Sequence, residues 1–274
     1  MSLGTMSTVS LGGILNPRAE GVRFFLARHA PSPDLAYFVE RHWSVRWDLE
    51  EPYPQETLPQ PCVNLVFEEA GARFYGLGTK RFSVMLSGKG WVFGTKFRPG
   101  AFRPIWRRPM VDLVDRAAPL RDVLGGASDG VWEAVREAGD DDACALAVEA
   151  LLRATLPQEK DPEVEVVASI VKLALDNPGM GRVEELAAAS GQSPRALQRL
   201  FRRYLGVGPK WVIRRFRLHE AAARVAEGGD IHWASLAQDL GYFDQAHFIK
   251  DFKDQVGQTP TEYARRCNVR TSLP

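Results

Sequence analysis

Four side chains able to recognise the edges of bases recur within one short segment. Arg195, Gln198, Arg199 and Arg202 stand at i, i+3, i+4 and i+7, a spacing that turns all four to the same side of a helix. Arginine holds guanine bidentately in the major groove of DNA and glutamine holds adenine, so the set has the chemistry of direct base reading. Arg203 extends it. From Ser193 to Arg217 the chain carries eight basic residues and no acid. The net charge of +1 over 274 residues conceals this patch, which an average cannot reveal. The plainer reading of any charge run is a solvated helix face.

Side chains of this kind need a scaffold, and the chain repeats one. Val183, Leu186, Ala187 and Gly191 match Trp233, Leu236, Ala237 and Gly241 at an offset of fifty positions. Beyond the turn, Leu197, Phe201, Gly206 and Pro209 match Phe248, Phe252, Gly257 and Pro260 at fifty-one, so one residue has been inserted in the turn of the second copy. Each copy reads as a short helix ended by a glycine able to take positive φ, then a second helix. Ser193 caps the first of those second helices ahead of Pro194, and Asp244 caps its twin. Leu197, Leu200, Phe201 and Tyr204 form one apolar face; Phe248, Phe252 and Val256 form the other. This is helix-turn-helix geometry, and its second helix is the one that enters a groove.

The second copy carries weaker reading chemistry. Its matching positions hold Ala246, Ile249, Lys250 and Lys253, with Gln245 just before them. Ile249 either packs inside or stays partly exposed and touches a thymine methyl. His247 either meets a phosphate or serves as a surface residue. Between the copies, Pro209 to Glu227 keeps a continuous helical pattern ended by Gly228 and Gly229. Nineteen residues give a rod of ~28 Å, suited to setting two helices in grooves ~34 Å apart. Arg214, Arg215 and Arg217 are expected to decorate it.

At these residues the chain resembles a known family. The segment 183–205 (VEELAAASGQSPRALQRLFRRYL) is similar to the first half of an AraC/XylS-type DNA-binding domain, and 236–263 (LAQDLGYFDQAHFIKDFKDQVGQTPTEY) to its second half. The resemblance implies a helical unit that inserts two recognition helices into adjacent major grooves. Its base-contacting places fall on Arg195, Gln198, Arg199 and Arg202, and on Gln245, Ala246, Ile249 and Lys250. Ala246 and Ile249 depart from the family's usual polar residues. LPQPCVNLVFE at 58–68, YGLGT at 75–79 and FGTKFRPGAF at 93–102 resemble an uncharacterised β-rich domain found ahead of such units. In related regulators a cupin-like barrel in this place binds a small effector and adjacent helices dimerise. By that analogy the helices within 130–155 form a dimer contact, although Ala145, Val148 and Leu152 serve equally well as interior packing.

The region ahead of the repeat has its own character. Hydrophobic residues make up 45% and charged ones 25%, which is ordinary globular composition. Short, partly alternating runs at 37–47, 62–67, 72–77 and 91–97 read as strands of an antiparallel sheet or small barrel. From Val111 to Thr155 the pattern becomes helical, and Leu156–Pro162 reads as a linker. The expected fold class is α+β, with an antiparallel, cupin-like β-rich domain and following helices over 21–155, then an all-α domain over 163–268. Residues 1–20 read as a disordered leader that lacks the features of a secretion signal. No apolar run reaches the ~18 residues of a membrane span.

Enzymatic chemistry finds little support. Cys62, Cys144 and Cys267 are odd in number and widely spaced, which fits a reducing cytoplasm. His29 and His42 lie thirteen apart with no close partner, so no metal set converges. Cys62 is either a buried, inert cysteine or a reactive thiol, and the second option leaves open an enzyme or thiol sensor fused to a DNA-targeting module. The aromatic set Trp43, Trp47, Phe67, Phe74, Tyr75, Trp91, Phe93 and Phe102 either fills a core or lines a pocket with Arg98 or Arg103 as a polar handle. Taken together, the expectation is a cytoplasmic regulator without cofactor or metal. Its expected partners are double-stranded DNA, RNA polymerase, a small effector and a second copy of the chain.

Overall fold

The computed structural model describes residues 13–268. The first half builds one antiparallel sheet from β1 (Ile14–Leu15), β2 (Phe25–His29), β3 (Val39–Thr57), β4 (Asn64–Glu68), β5 (Gly71–Tyr75), β6 (Phe82–Phe97) and β7 (Ala117–Pro119). Its pairing runs β1-β3-β6-β4-β5-β7, with β2 also on β3. Of the sheet or small barrel expected, the described pairing is the sheet, an open path from β1 to β7. β3 and β6 pair from Val39 opposite Phe97 to Thr57 opposite Phe82, about twice the length their alternation indicates. Pro52 falls within the register shift between Leu49 and Tyr53, where a missing N–H costs no ladder bond. Trp43 and Trp47 lie over Gly94 and Gly90 on the paired strand; a Cβ at either glycine would come within 2.2 Å of an indole. These two tryptophans cover the sheet surface, while Phe67, Phe74, Phe93 and Phe102 fill the core.

Short helices α1 (Arg103–Trp106), α2 (Leu120–Leu124) and α3 (Val131–Glu137) lead to α4 (Asp141–Thr155). Val148, Leu151 and Leu152 bury one face of α4, with Ala145 half-buried beside them. The interior reading fits Val148 and Leu152, which are fully buried. Two acids on α4 hold it to the sheet. Glu149 accepts from the Ser32 backbone N–H (2.7 Å) and hydroxyl (2.5 Å), and pairs with Arg153 (3.0 Å). Asp141 accepts from the Ser44 hydroxyl (2.5 Å). His29 and His42, expected to stand apart, are direct neighbours across the β2–β3 ladder. Each is satisfied by α4, His29 at Asp141 (3.1 Å) and His42 at Glu149 (3.3 Å), and His42 also bonds Thr95 (2.8 Å). Among the described residues no cluster of His, Cys, Asp and Glu could hold a metal ion.

Residues 1–12 of the anticipated leader lie outside the described residues. The rest is ordered, which corrects the expectation. Ile14–Leu15 pairs with the end of β3, and Leu15 and Ala19 are buried. Leu15 and Leu58 enter the core of the C-terminal helices, and burying a leucine is worth ~1.5–3 kcal/mol.

The second half consists of α5 (Pro162–Asp176), α6 (Val183–Ala189), α7 (Pro194–Leu205), α8 (Pro209–Glu227), α9 (Trp233–Asp239), α10 (Gln245–Val256) and α11 (Pro260–Asn268). It does not hang on a free tether. Phe102, Trp106 and Met110 share one buried cluster with Val164, Val167, Phe201, Tyr204 and Phe216. At the end of the segment 156–161, the Asp161 carbonyl accepts from the Tyr37 hydroxyl (2.5 Å) and its carboxylate from the Tyr204 hydroxyl (2.5 Å). Arg98 meets Glu165 bidentately, both contacts at 2.7 Å. The side chain considered as a ligand handle is thus a tie between the halves. Gly206, which ends α7 at φ 80°, meets the backbone of Met110 so closely that a Cβ would approach it to 2.8 Å.

Candidate nucleic-acid interface

α6–α7 and α9–α10 are the two helix-turn-helix units, and α8 joins them. Each turn forms for the same local reasons. After α6, Gly191 (φ 65°) donates to Ala188 and Gln192 to Ala187; after α9, Gly241 (φ 69°) donates to Gln238 and Tyr242 to Ala237. The Ser193 hydroxyl accepts from the Ala196 N–H (3.2 Å) ahead of Pro194, and the Asp244 carboxylate accepts from the His247 N–H (2.7 Å). Leu197, Phe201 and Tyr204 are fully buried on α7, as are Phe248, Phe252 and Val256 on α10. Burial of these faces dictates which side chains point outward.

Arg195, Arg199 and Arg202 are exposed and have neither a hydrogen-bond nor an ion-pair partner among the described residues. The other two residues of the set are engaged. Gln198 is half-buried with its amide against Gly208, where a Cβ would come within 2.9 Å of it. Arg203 pairs with Glu163 on α5 at 3.0 Å and lies over the Tyr204 ring. On α10, Gln245, Ala246, His247, Lys250 and Lys253 are exposed. His247 also packs edge-on against Tyr242 at 5.3 Å. Ile249 is half-buried against the second core, which fits partial exposure.

The arginines of α8 depart from expectation. Arg215 is 1% exposed and Arg217 is buried. Arg215 donates to the Thr79 carbonyl (2.7 Å) and stacks over Trp211. Its guanidinium is pushed down to about 10, first by burial and then by the neighbouring Arg214. Arg217 stacks over Tyr242 at 5.1 Å. Arg214 pairs with the buried Asp251 of α10, which also accepts from the Tyr242 hydroxyl (2.7 Å). These three do not decorate a rod. They clamp α8 to the second unit and to the loop between β5 and β6, because helical spacing turns 214, 215 and 217 toward packed neighbours. The acceptors opposite Arg214 and Arg215 and the ring beneath Arg217 cannot be read from a one-dimensional charge run.

Cys62 is buried, and burial pushes its thiol up, so the nucleophilic thiolate is disfavoured. That removes the geometric support for a thiol sensor. A cavity of about 130 Å³ lies between the N-terminal segment and the helices, lined among others by Leu15, Leu58, Phe216, His219, Ala223 and Tyr263. The His219 Nε2 is sealed from solvent without a partner, and burial, then Arg215, lowers the ring to about 3. An unfolded imidazole takes up a proton below ~6.5, whereas the folded one stays neutral. This contribution to stability is therefore full above pH 6.5 and lost as pH falls towards 3. Urea unfolding at pH 5 should show about 2 kcal/mol less stability than at pH 7 from this group. His219→Leu should flatten that difference, and an unchanged pH dependence would contradict the assignment.

The fold and site together define a class, an N-terminal β-sheet domain packed onto a double helix-turn-helix unit. Residues 186–266 match a family described as a helix-turn-helix domain, and residues 27–119 match a domain of unknown function, DUF6597. Over this stretch the chain is similar to helix-turn-helix transcriptional regulators. The HTH-type transcriptional regulator GlxA of Rhizobium meliloti is 32% identical over 103 residues, covering 38% of this chain and 30% of that protein. The XylDLEGF operon transcriptional activator 1 of Pseudomonas putida is 29% identical over 113 residues, covering 40% and 33%. The chain thus spans about a third of the length of these relatives. Among solved structures, ToxT of Vibrio cholerae is similar at 12% identity over 89% of this chain and 98% of that one, with a TM-score of 0.42. No helix among the described residues is long and apolar enough to cross a membrane.

Proposed function

We propose that this protein is a sequence-specific DNA-binding transcription regulator of the cytoplasm rather than an enzyme. Its two recognition helices, α7 and α10, enter adjacent major grooves of duplex DNA. Arg195, Arg199 and Arg202 read bases from α7, joined by Gln198 when it leaves Gly208. Gln245, His247, Lys250 and Lys253 mainly anchor α10, Ile249 stands partly exposed among them, and Arg203 contributes at most a phosphate contact. The observation that supports this reading most is the contrast among the basic residues: three arginines on one face of α7 stand exposed and unpaired, while Arg214, Arg215 and Arg217 are paired or buried. The domain over 21–155 modulates binding through the shared core, in response to a small effector or a second copy of the chain. RNA polymerase is the downstream partner.

Selection of duplexes from a random pool by the full chain, followed by footprinting across a salt series, tests the proposal. Enrichment of one sequence with two protected blocks about 10.5 base pairs apart is expected. Comparable affinity for all duplexes, with the salt slope accounting for nearly all of it, would instead make the protein an architectural binder.

A further inference from the structure

The residue inserted into the second turn is Phe243. The two units match through Gln192 and Tyr242, whose N–H groups close equivalent turns. In the first, the cap Ser193 follows at once; in the second, Phe243 intervenes before the cap Asp244. The extra residue has no place in the core and is extruded, leaving Phe243 94% exposed. A phenylalanine ring held in water adds nothing to the fold, since its benefit comes only from burial.

Its surroundings say what would cover it. Phe243 immediately precedes α10, and Asp244, Gln245, Ala246 and His247 beside it are all exposed. The positions that hold Arg195 and Gln198 in the first unit hold Ala246 and Ile249 here, so the second unit replaces hydrogen-bonding groups with apolar ones. Lys250 and Lys253 supply positive charge along the same helix. In the major groove the apolar feature of a base edge is the 5-methyl group of thymine.

Building on the DNA-binding reading above, we propose that the second unit recognises thymine methyl groups, with Phe243, Ala246 and Ile249 as the contacting row and Phe243 as a specificity residue absent from the first unit. The two units then read by different chemistry: α7 selects by hydrogen bonds from arginine, α10 by apolar contact.

The probe is the duplex selected by the full chain, with each thymine replaced singly by deoxyuridine, which deletes the methyl and leaves base pairing intact. For the unmodified protein, two or three replacements confined to one half-site should each weaken binding about fourfold, the worth of one buried methyl group. Phe243→Ala should abolish the sensitivity at one of these positions and leave the other half-site unchanged. A selected half-site without methyl-sensitive thymines would overturn the proposal. So would a Phe243→Ala variant that keeps every sensitivity, as expected if the ring serves a protein partner instead. Failure of the unmodified chain to select any duplex would be a different result, and would defeat the DNA-binding reading itself.

Discussion

Arg199→Ala is expected to weaken binding to the selected duplex by about 1–3 kcal/mol and to relax specificity at one base-pair position, with a much smaller loss on random DNA. The expectation follows from where the side chain stands. α7 is fixed by the burial of Leu197 and Phe201 and by the Ser193 cap, so Arg199 is presented on a rigid helix at little entropic cost. It is exposed and has no intramolecular partner to give up. Arg203 is the internal control. It sits four residues further on, but it must leave Glu163 (3.0 Å) to reach DNA, and the Arg203→Ala variant should lose about equally on selected and random duplexes. Competition titrations at one fixed salt concentration measure both. Equal losses for Arg199→Ala on the two duplexes would reduce it to a phosphate contact.

The legibility of this chain was uneven, and the reasons are local against long-range. Helix α8 could be bounded at Pro209 and Glu227 because its determinants lie within it or next to it: a proline at the start, a 3.6-residue apolar period, and two glycines at the end. The caps at Ser193 and Asp244 are of the same kind. The roles of Arg215 and Arg217 depend on Thr79 and Tyr242, which only the tertiary fold brings near. Strand length failed for a related reason. Residues 48–55 contain Pro52, Pro54 and several acids and do not alternate, yet they extend β3 because β6 pairs with them where neither β1 nor β2 covers the other edge. His29 and His42 seemed remote along the chain but meet through register alone. The candidate interface was legible as a face of α7, while the engagement of Gln198 and Arg203 was not, since Gly208 and Glu163 lie outside that face.

The unexpected extent of the shared core changes how the two halves should behave. Phe102 is fully buried beside Phe74 (4.7 Å between ring centroids) and Phe97 (5.2 Å), in the same cluster as Phe201 and Tyr204 of α7. Met110 closes on Gly206, and Arg98 ties the sheet side to α5. With apolar packing continuous across the junction, the sheet and the first helix-turn-helix unit should unfold together in one transition.

Phe102→Ala is therefore expected to cost about 3–5 kcal/mol, the usual loss for a buried phenylalanine, and to spend part of that loss on α7 although the mutation lies in the N-terminal domain. Urea unfolding followed by tryptophan fluorescence and far-UV circular dichroism should give coincident curves, displaced together in the variant. Amide exchange along α7 should accelerate by a comparable free energy where it proceeds through global opening. Two separate transitions, with only the sheet's shifted, would mean that the junction transmits no stability. In that case the N-terminal domain could not modulate the DNA-reading helix through packing.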